Sequence, residues 1–286
     1  MHLTGIYAPI VTPFHADETI NYPVLADLIE FLIENGISGL VPGGTTGEVY
    51  ALSEAERLEL FQFVKEQVKG RVTLIAGTNS GATRDVIRYS QAAETIGYDA
   101  LMVAVPPYSR PTQRELLAHY RAVAQSVSIP ITLYNFPWRA GTEVGYDVLD
   151  GLLDLPNVIG IKEASGEMSR VYEFRLRYGE RYQMICGSDD QALDYFLWGT
   201  TAWIGGAASC APRQHAAVLE AARNQANIHR NLGLDVSAAV IWRPLMTQNL
   251  VLRLSWATLI PGRGYDDLFP DQGQPHSLLA NVILTY

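Results

Sequence analysis

Lysine is scarce in this 286-residue chain. Lys65 and Lys69 fall on the solvated face of one amphipathic stretch, while Lys162 ends the apolar run in "NVIGIKEAS", Asn157 to Ser165. Behind Val158, Ile159 and Ile161 its stem emerges through apolar surroundings, where desolvation disfavours the ammonium and favours a nucleophilic amine. A lysine so placed is either a solvated strand end, partnered for instance by Glu163, or an amine able to form an imine with a ketone. Tyr134, 28 residues earlier, is either a core tyrosine or an acid/base group at the same height on the preceding strand. Arg139, five residues further on, is a loop residue whose permanently charged fork suits a carboxylate.

"GGTTGE", Gly43 to Glu48, joins flexible backbone to the hydroxyls of Thr45 and Thr46. Successive N–H groups at such a turn, around Gly44 and the threonines, make a nest that fits a carboxylate. The G-K-[ST] ending of a nucleotide-binding loop is missing. A tight turn capped by the two threonines explains the same hexapeptide without a ligand. "GGAASCAP" holds Ser209 and Cys210 but no G-x-S-x-G elbow, so its glycines, beginning with Gly205, read as room for a ligand. The six histidines show no paired metal spacing, and neither a metal nor another cofactor is expected.

These residues converge only if the elements carrying them close into one structure. Strands are expected at Gly5–Thr12, Ser38–Gly43, Arg71–Gly77, Ala100–Val105, Ile129–Tyr134, Val158–Lys162, Gln183–Gly187 and Ala202–Gly206. Helical stretches lie between them. Tyr22–Asn35 places Leu25, Leu28, Ile29 and Leu32 on one face and stops at Gly36, and "SEAERLELFQFV" opens with a capping box of Ser53 and Glu56. Strand ends recur every 18 to 33 residues from Gly44 to Gly205, the length of a βα unit. Eight such units predict an α/β chain folded as a closed (β/α)8 barrel, with the site where strands end and loops begin. An open dinucleotide-binding sheet would show G-x-G-x-x-G after the first strand, where "APIVTPF" stands instead.

Composition agrees with a globular chain: 48% of residues are apolar and 18% charged. A net charge of −9 argues against a nucleic-acid partner. No run approaches the ~20 apolar residues of a membrane span, and no signal-like segment opens the chain, so a cytoplasmic protein without a membrane partner is expected. Cys186 and Cys210 are too few for a disulfide framework.

Taken together, "GGTTGE", "YNFPWRAGT" and "GIKEASG", in this order and at βα spacing, resemble the dihydrodipicolinate synthase and N-acetylneuraminate lyase family of Schiff-base lyases. The likeness covers about residues 3–220 and is nearest to the dihydrodipicolinate synthase branch. It implies a TIM barrel in which Lys162 forms an imine with pyruvate or a related 2-oxo acid, and the resulting enamine attacks an aldehyde. It further implies that Tyr134 shuttles protons, that Thr45 belongs to the proton relay, and that Thr46 and nearby amides hold the pyruvate carboxylate. Tyr108 in "PPYSRP" matches a relay tyrosine supplied by a neighbouring subunit, which implies a homodimer or homotetramer. Arg139 matches the arginine that binds the carboxylate of aspartate semialdehyde.

Two departures bear on the substrate. Bulky Phe136 and Trp138 stand where smaller residues are usual, and "AWIGGAAS" replaces a run like "GVISVTAN". Both reshape the pocket, so a 2-oxo-3-deoxy sugar acid aldolase or dehydratase, or a hydroxypyrroline-carboxylate deaminase, is an alternative that keeps the same lysine. A non-catalytic 2-oxo-acid-binding relative is another. The barrel is expected to span residues 1–222. The segment 223–286, helical in the family, diverges: from Ala221 onward there is no Glu, no Lys and no sustained helical face. A changed reading frame and a divergent natural tail both account for it.

Overall fold

The structure, a computed structural model, describes residues 1–223 and the backbone of 233–242, 250–261 and 276–284. The chain runs β1 (Gly5–Ala8), α1 (Tyr22–Glu34), β2 (Gly39–Leu40), α2 (Glu54–Val68), β3 (Thr73–Gly77), α3 (Thr83–Ile96), β4 (Ala100–Ala104) and α4 (Gln113–Gln125). It continues with β5 (Ile131–Asn135), the short α5 (Pro137–Ala140) and α6 (Tyr146–Asp150), β6 (Val158–Glu163) and α7 (Met168–Tyr178). Then come β7 (Gln183–Cys186), α8 (Ala192–Leu197), β8 (Ala202–Ile204) and α9 (Pro212–Arg223). All eight strands pair in parallel in chain order, and β1 pairs with β8 to close the barrel. The predicted (β/α)8 architecture is therefore present.

Local chemistry sets the helix starts. Asn21 accepts a hydrogen bond from the Val24 N–H to open α1, which buries Leu25, Ile29 and Leu32. Ser53 and Glu56 form the expected capping box of α2, and Thr112 with Glu115 repeats the device at α4. The first two strands are shorter than expected because Pro9 and Pro42, just past their ends, have no N–H to donate. β5 and β6 each run one residue further than expected, to Asn135 and Glu163.

Alternation along each strand divides side chains between the barrel interior and the helix layer. Tyr7, Val41, Ile75, Met102, Tyr134, Ile185 and Ile204 pack together as one buried cluster inside. Gly160 on β6 lies against Gln183 on β7, where a Cβ would overlap the Gln183 carbonyl. Gly160→Ala is expected to cost about 3 kcal/mol in a denaturant titration, whereas a loss under about 0.5 kcal/mol would show that the strands do not need this approach.

Residues 1–220 and 221–286 form separate units. In the second, the backbone gives β9 (Gly233–Trp242), β10 (Leu250–Pro261) and β11 (His276–Leu284), an antiparallel sheet in the order β11–β10–β9. The resemblance implies helices here; the β-branched and apolar composition of "DVSAAVIW" and "LVLRLSWATLI" suits extended backbone instead. Among the described residues no helix is long and apolar enough to cross a membrane.

Candidate active site

The β5–β6 ladder pairs Tyr134 directly with Lys162, and β6–β7 pairs Lys162 with Ile185. The lysine therefore points into the barrel between its two neighbours, with Nζ 4.1 Å from the centre of the Tyr134 ring. It is 5% exposed, and among the described residues no carboxylate forms an ion pair with it. Burial pushes its pKa down to about 8, against an opposing pull from Asp189 and Cys186. About a tenth of the amine is thus neutral at pH 7 and half near pH 8, the form that nucleophilic attack requires.

Glu163, weighed as the lysine's partner, does not meet it. It occupies the next position on the strand, hence the opposite face, and pairs with Arg170 at 3.0 Å. At Gly187, just past β7, a Cβ would come 3.0 Å from Lys162 Cε, so the glycine leaves room for the lysine stem.

Tyr134 is itself buried, and burial raises its pKa well above the ordinary tyrosine value while the Arg139 charge opposes the rise. It therefore keeps its proton at neutral pH. Phe136 stacks on it with ring centres 5.9 Å apart.

Across the mouth, the Gly43–Glu48 segment folds into consecutive turns, with Gly43 at φ +68 where a side chain would be strained. Among the described residues no backbone carbonyl accepts from the N–H of Thr45 or Thr46. Two donors at this turn are therefore free for an anion. Thr45, Tyr134, Phe136 and Arg139 line a cleft of about 420 Å³. Its lining also holds Arg57 and contains no carboxylate, so the cleft suits an anionic ligand. Arg57 donates to the carbonyls of Gly77 and Asn79 and lies 4.1 Å over the Tyr89 ring; burial lowers its pKa to about 10, which leaves it charged.

Thr45, Tyr134 and Arg139 line this one cleft, with Gly44 and Thr46 beside Thr45 in the turn; Lys162 does not line it and meets it through the Tyr134 ring, over which its amine lies. Gly205 lies past the end of β8, where its missing Cβ makes room for the Asp189 carboxylate. Tyr108 is outside the cleft: its side chain is 99% exposed on a backbone with φ +71. Among the described residues no three His, Cys, Asp or Glu side chains converge as a metal site.

Sequence reasoning missed Asp189, whose carboxylate accepts from Trp203 Nε1 at 2.9 Å and from the Ala207 N–H at 3.0 Å, and whose charge reaches both Lys162 and Tyr134. It also missed the Asn135–Glu163–Arg170 network behind the reacting pair. Neither carried a motif.

The model of the dihydrodipicolinate synthetase family matches residues 2–255, further into the tail than the motifs reach. The chain is 36% identical over 233 residues to 4-hydroxy-tetrahydrodipicolinate synthase of Desulforamulus reducens, covering 79% of each. It is 39% identical over 220 residues to the synthase of that name from Neisseria meningitidis, covering 77% of this chain and 76% of the relative. The structure of the synthase from Methylacidiphilum fumariolicum superposes with a TM-score of 0.75 at 35% identity, covering 78% of this chain and 74% of that one. A dihydrodipicolinate synthase from Acinetobacter baumannii, complexed with pyruvate, gives a TM-score of 0.75 at 33% identity, over 78% and 77% of the two chains. The chain belongs to the dihydrodipicolinate synthetase family and is a lyase of its class I type.

Proposed function

We propose that this lyase condenses pyruvate with aspartate semialdehyde through an imine on Lys162. The observation that carries the reading is a buried amine without a counter-ion, lying over a protonated tyrosine and across the mouth from two unused amide donors. A pyruvate complex of one solved relative supports the 2-oxo acid. Nζ attacks the ketone carbon, a proton delivered through Tyr134 leaves with the carbinol oxygen as water, and a protonated imine forms. Loss of a methyl proton then gives the enamine, whose carbon attacks the aldehyde. Thr45 and Thr46 hold the pyruvate carboxylate, and Arg139 receives the carboxylate of the second substrate. Tyr108, fully exposed and outside its own cleft, serves the site of a neighbouring subunit in a dimer or tetramer.

A substrate panel tests the second substrate. Aspartate semialdehyde is expected to give the highest kcat/KM, and Arg139→Ala is expected to raise its KM by about 10- to 100-fold. A 2-oxo-3-deoxy sugar acid or a hydroxypyrroline carboxylate turning over better, with Arg139→Ala silent, would replace this reading. Phe136, which stacks on Tyr134 and lines the same cleft, is the residue that motivates this second reading.

The amine also sets a pH dependence. Protonated amine does not attack, so imine formation is expected to rise with pH through a midpoint near the lysine's lowered pKa of about 8. A midpoint near the ordinary 10.5 would mean that Lys162 is solvated.

A further inference from the structure

Directly after the reacting pair, each strand carries one more buried polar residue: Asn135 follows Tyr134 on β5, and Glu163 follows Lys162 on β6. Both are 0% exposed and face the helix layer rather than the barrel. The Glu163 carboxylate accepts from Asn135 Nδ2 at 2.9 Å to each oxygen, from the Ser165 N–H at 2.8 Å and from Arg170 Nε at 3.0 Å. Asn135 Oδ1 accepts from the Val144 N–H at 2.9 Å, and Arg170 donates to the Val144 carbonyl at 2.9 Å. The bonds to Val144 clip shut the loop that carries Arg139.

We infer that Asn135, Glu163 and Arg170 form a positioning clamp that holds the Lys162 amine over Tyr134 and fixes the Arg139 loop. A buried ion pair gains little stability over an apolar pair of the same volume, so strand adhesion alone does not explain one here. What a fully satisfied network provides is a single geometry. Three donor groups on one carboxylate leave the ends of β5 and β6 no freedom to slide, and a misplacement of about 1 Å at reacting atoms costs on the order of 10²-fold in rate. Lys162 itself is flanked by Tyr134 from β5 and Ile185 from β7 and is pulled on by the Asp189 charge, while Glu163 faces away, so the clamp acts on the amine through position and not through charge.

The purpose of the clamp rests on the Schiff-base reading, but its test does not. Glu163→Gln sets two amide donors against each other, and Asn135→Asp sets two carboxylates together. The double variant Asn135→Asp with Glu163→Gln restores one amide facing one carboxylate between the strands, while the NH2 that Glu163→Gln introduces then opposes either the Ser165 N–H or the Arg170 Nε–H. Competitive acetylation of Lys162, followed by peptide mass across pH, reads the amine directly. The wild-type midpoint is expected near 8. Each folded single variant is expected to move it up by about half a unit or more as the amine gains solvent, with pyruvate trapping slowed about tenfold. The double variant is expected to recover part of both.

Single variants with the wild-type midpoint overturn the clamp, as does a double variant that regains its melting temperature but not its midpoint. If the single variants fail to fold, Arg170→Lys keeps the charge and removes the Nε contact; a moved midpoint supports the clamp and an unmoved one refutes it. Wild-type protein that acetylates as expected but takes up no pyruvyl mass would remove the Schiff-base reading and leave the clamp standing.

Discussion

Lys162→Ala loses turnover by on the order of 10⁴-fold or more while the protein stays folded, because the variant removes the atom that forms the covalent bond. Lys162→Arg behaves the same way: a guanidinium keeps its proton at all working pH values and has no lone pair to give. Neither change breaks a hydrogen bond or ion pair to the lysine among the described residues, so the melting temperature is expected to move little. Steady-state kinetics and a thermal melt on the same samples check this. Retention of a tenth of wild-type turnover by either variant would remove the lysine from the chemistry.

Tyr134→Phe has the second-largest expected effect. The ring beneath the amine and its stacking on Phe136 survive, and only the hydroxyl goes. General acid–base catalysis of this kind is worth about 10²–10⁴-fold, so kcat falls by that order while KM for pyruvate changes by less than about threefold. Imine trapping slows but still proceeds, since the amine and the amide turn remain. A variant with wild-type kcat would assign Tyr134 to the core alone. The pair of variants separates nucleophile from proton carrier, because one abolishes the adduct and the other delays it.

Much of the barrel was legible because closed parallel barrels write a repeat into the chain. Apolar runs ending at or beside glycine, proline, tyrosine or lysine recurred at βα spacing from Gly44 to Gly205, and all eight expected strands overlap observed ones. The interval from Tyr134 to Lys162 put those two residues at one height on neighbouring strands, as the register shows. Arg139 and the glycine–threonine turn were legible as motifs. The Glu163–Arg170 pair was not: its partners lie seven residues apart and meet only because α7 turns back over the end of β6. The same proximity made Glu163 a plausible partner for Lys162, until the alternation that sends one inward sends the other outward. Asp189 was missed for a similar reason, since its anchor, Trp203, comes from the next strand. In the tail no helical period is visible, and the three long strands there need cross-strand pairing that no local pattern announces.

The central claim is that Lys162 forms an imine with a 2-oxo acid, and borohydride reduction in the presence of pyruvate tests it most directly. The account predicts one pyruvyl mass per chain, located by peptide mass on the segment containing Lys162, and none on Lys65 or Lys69. Folded protein that takes up no label at Lys162, or takes it up equally at the two surface lysines, would contradict it.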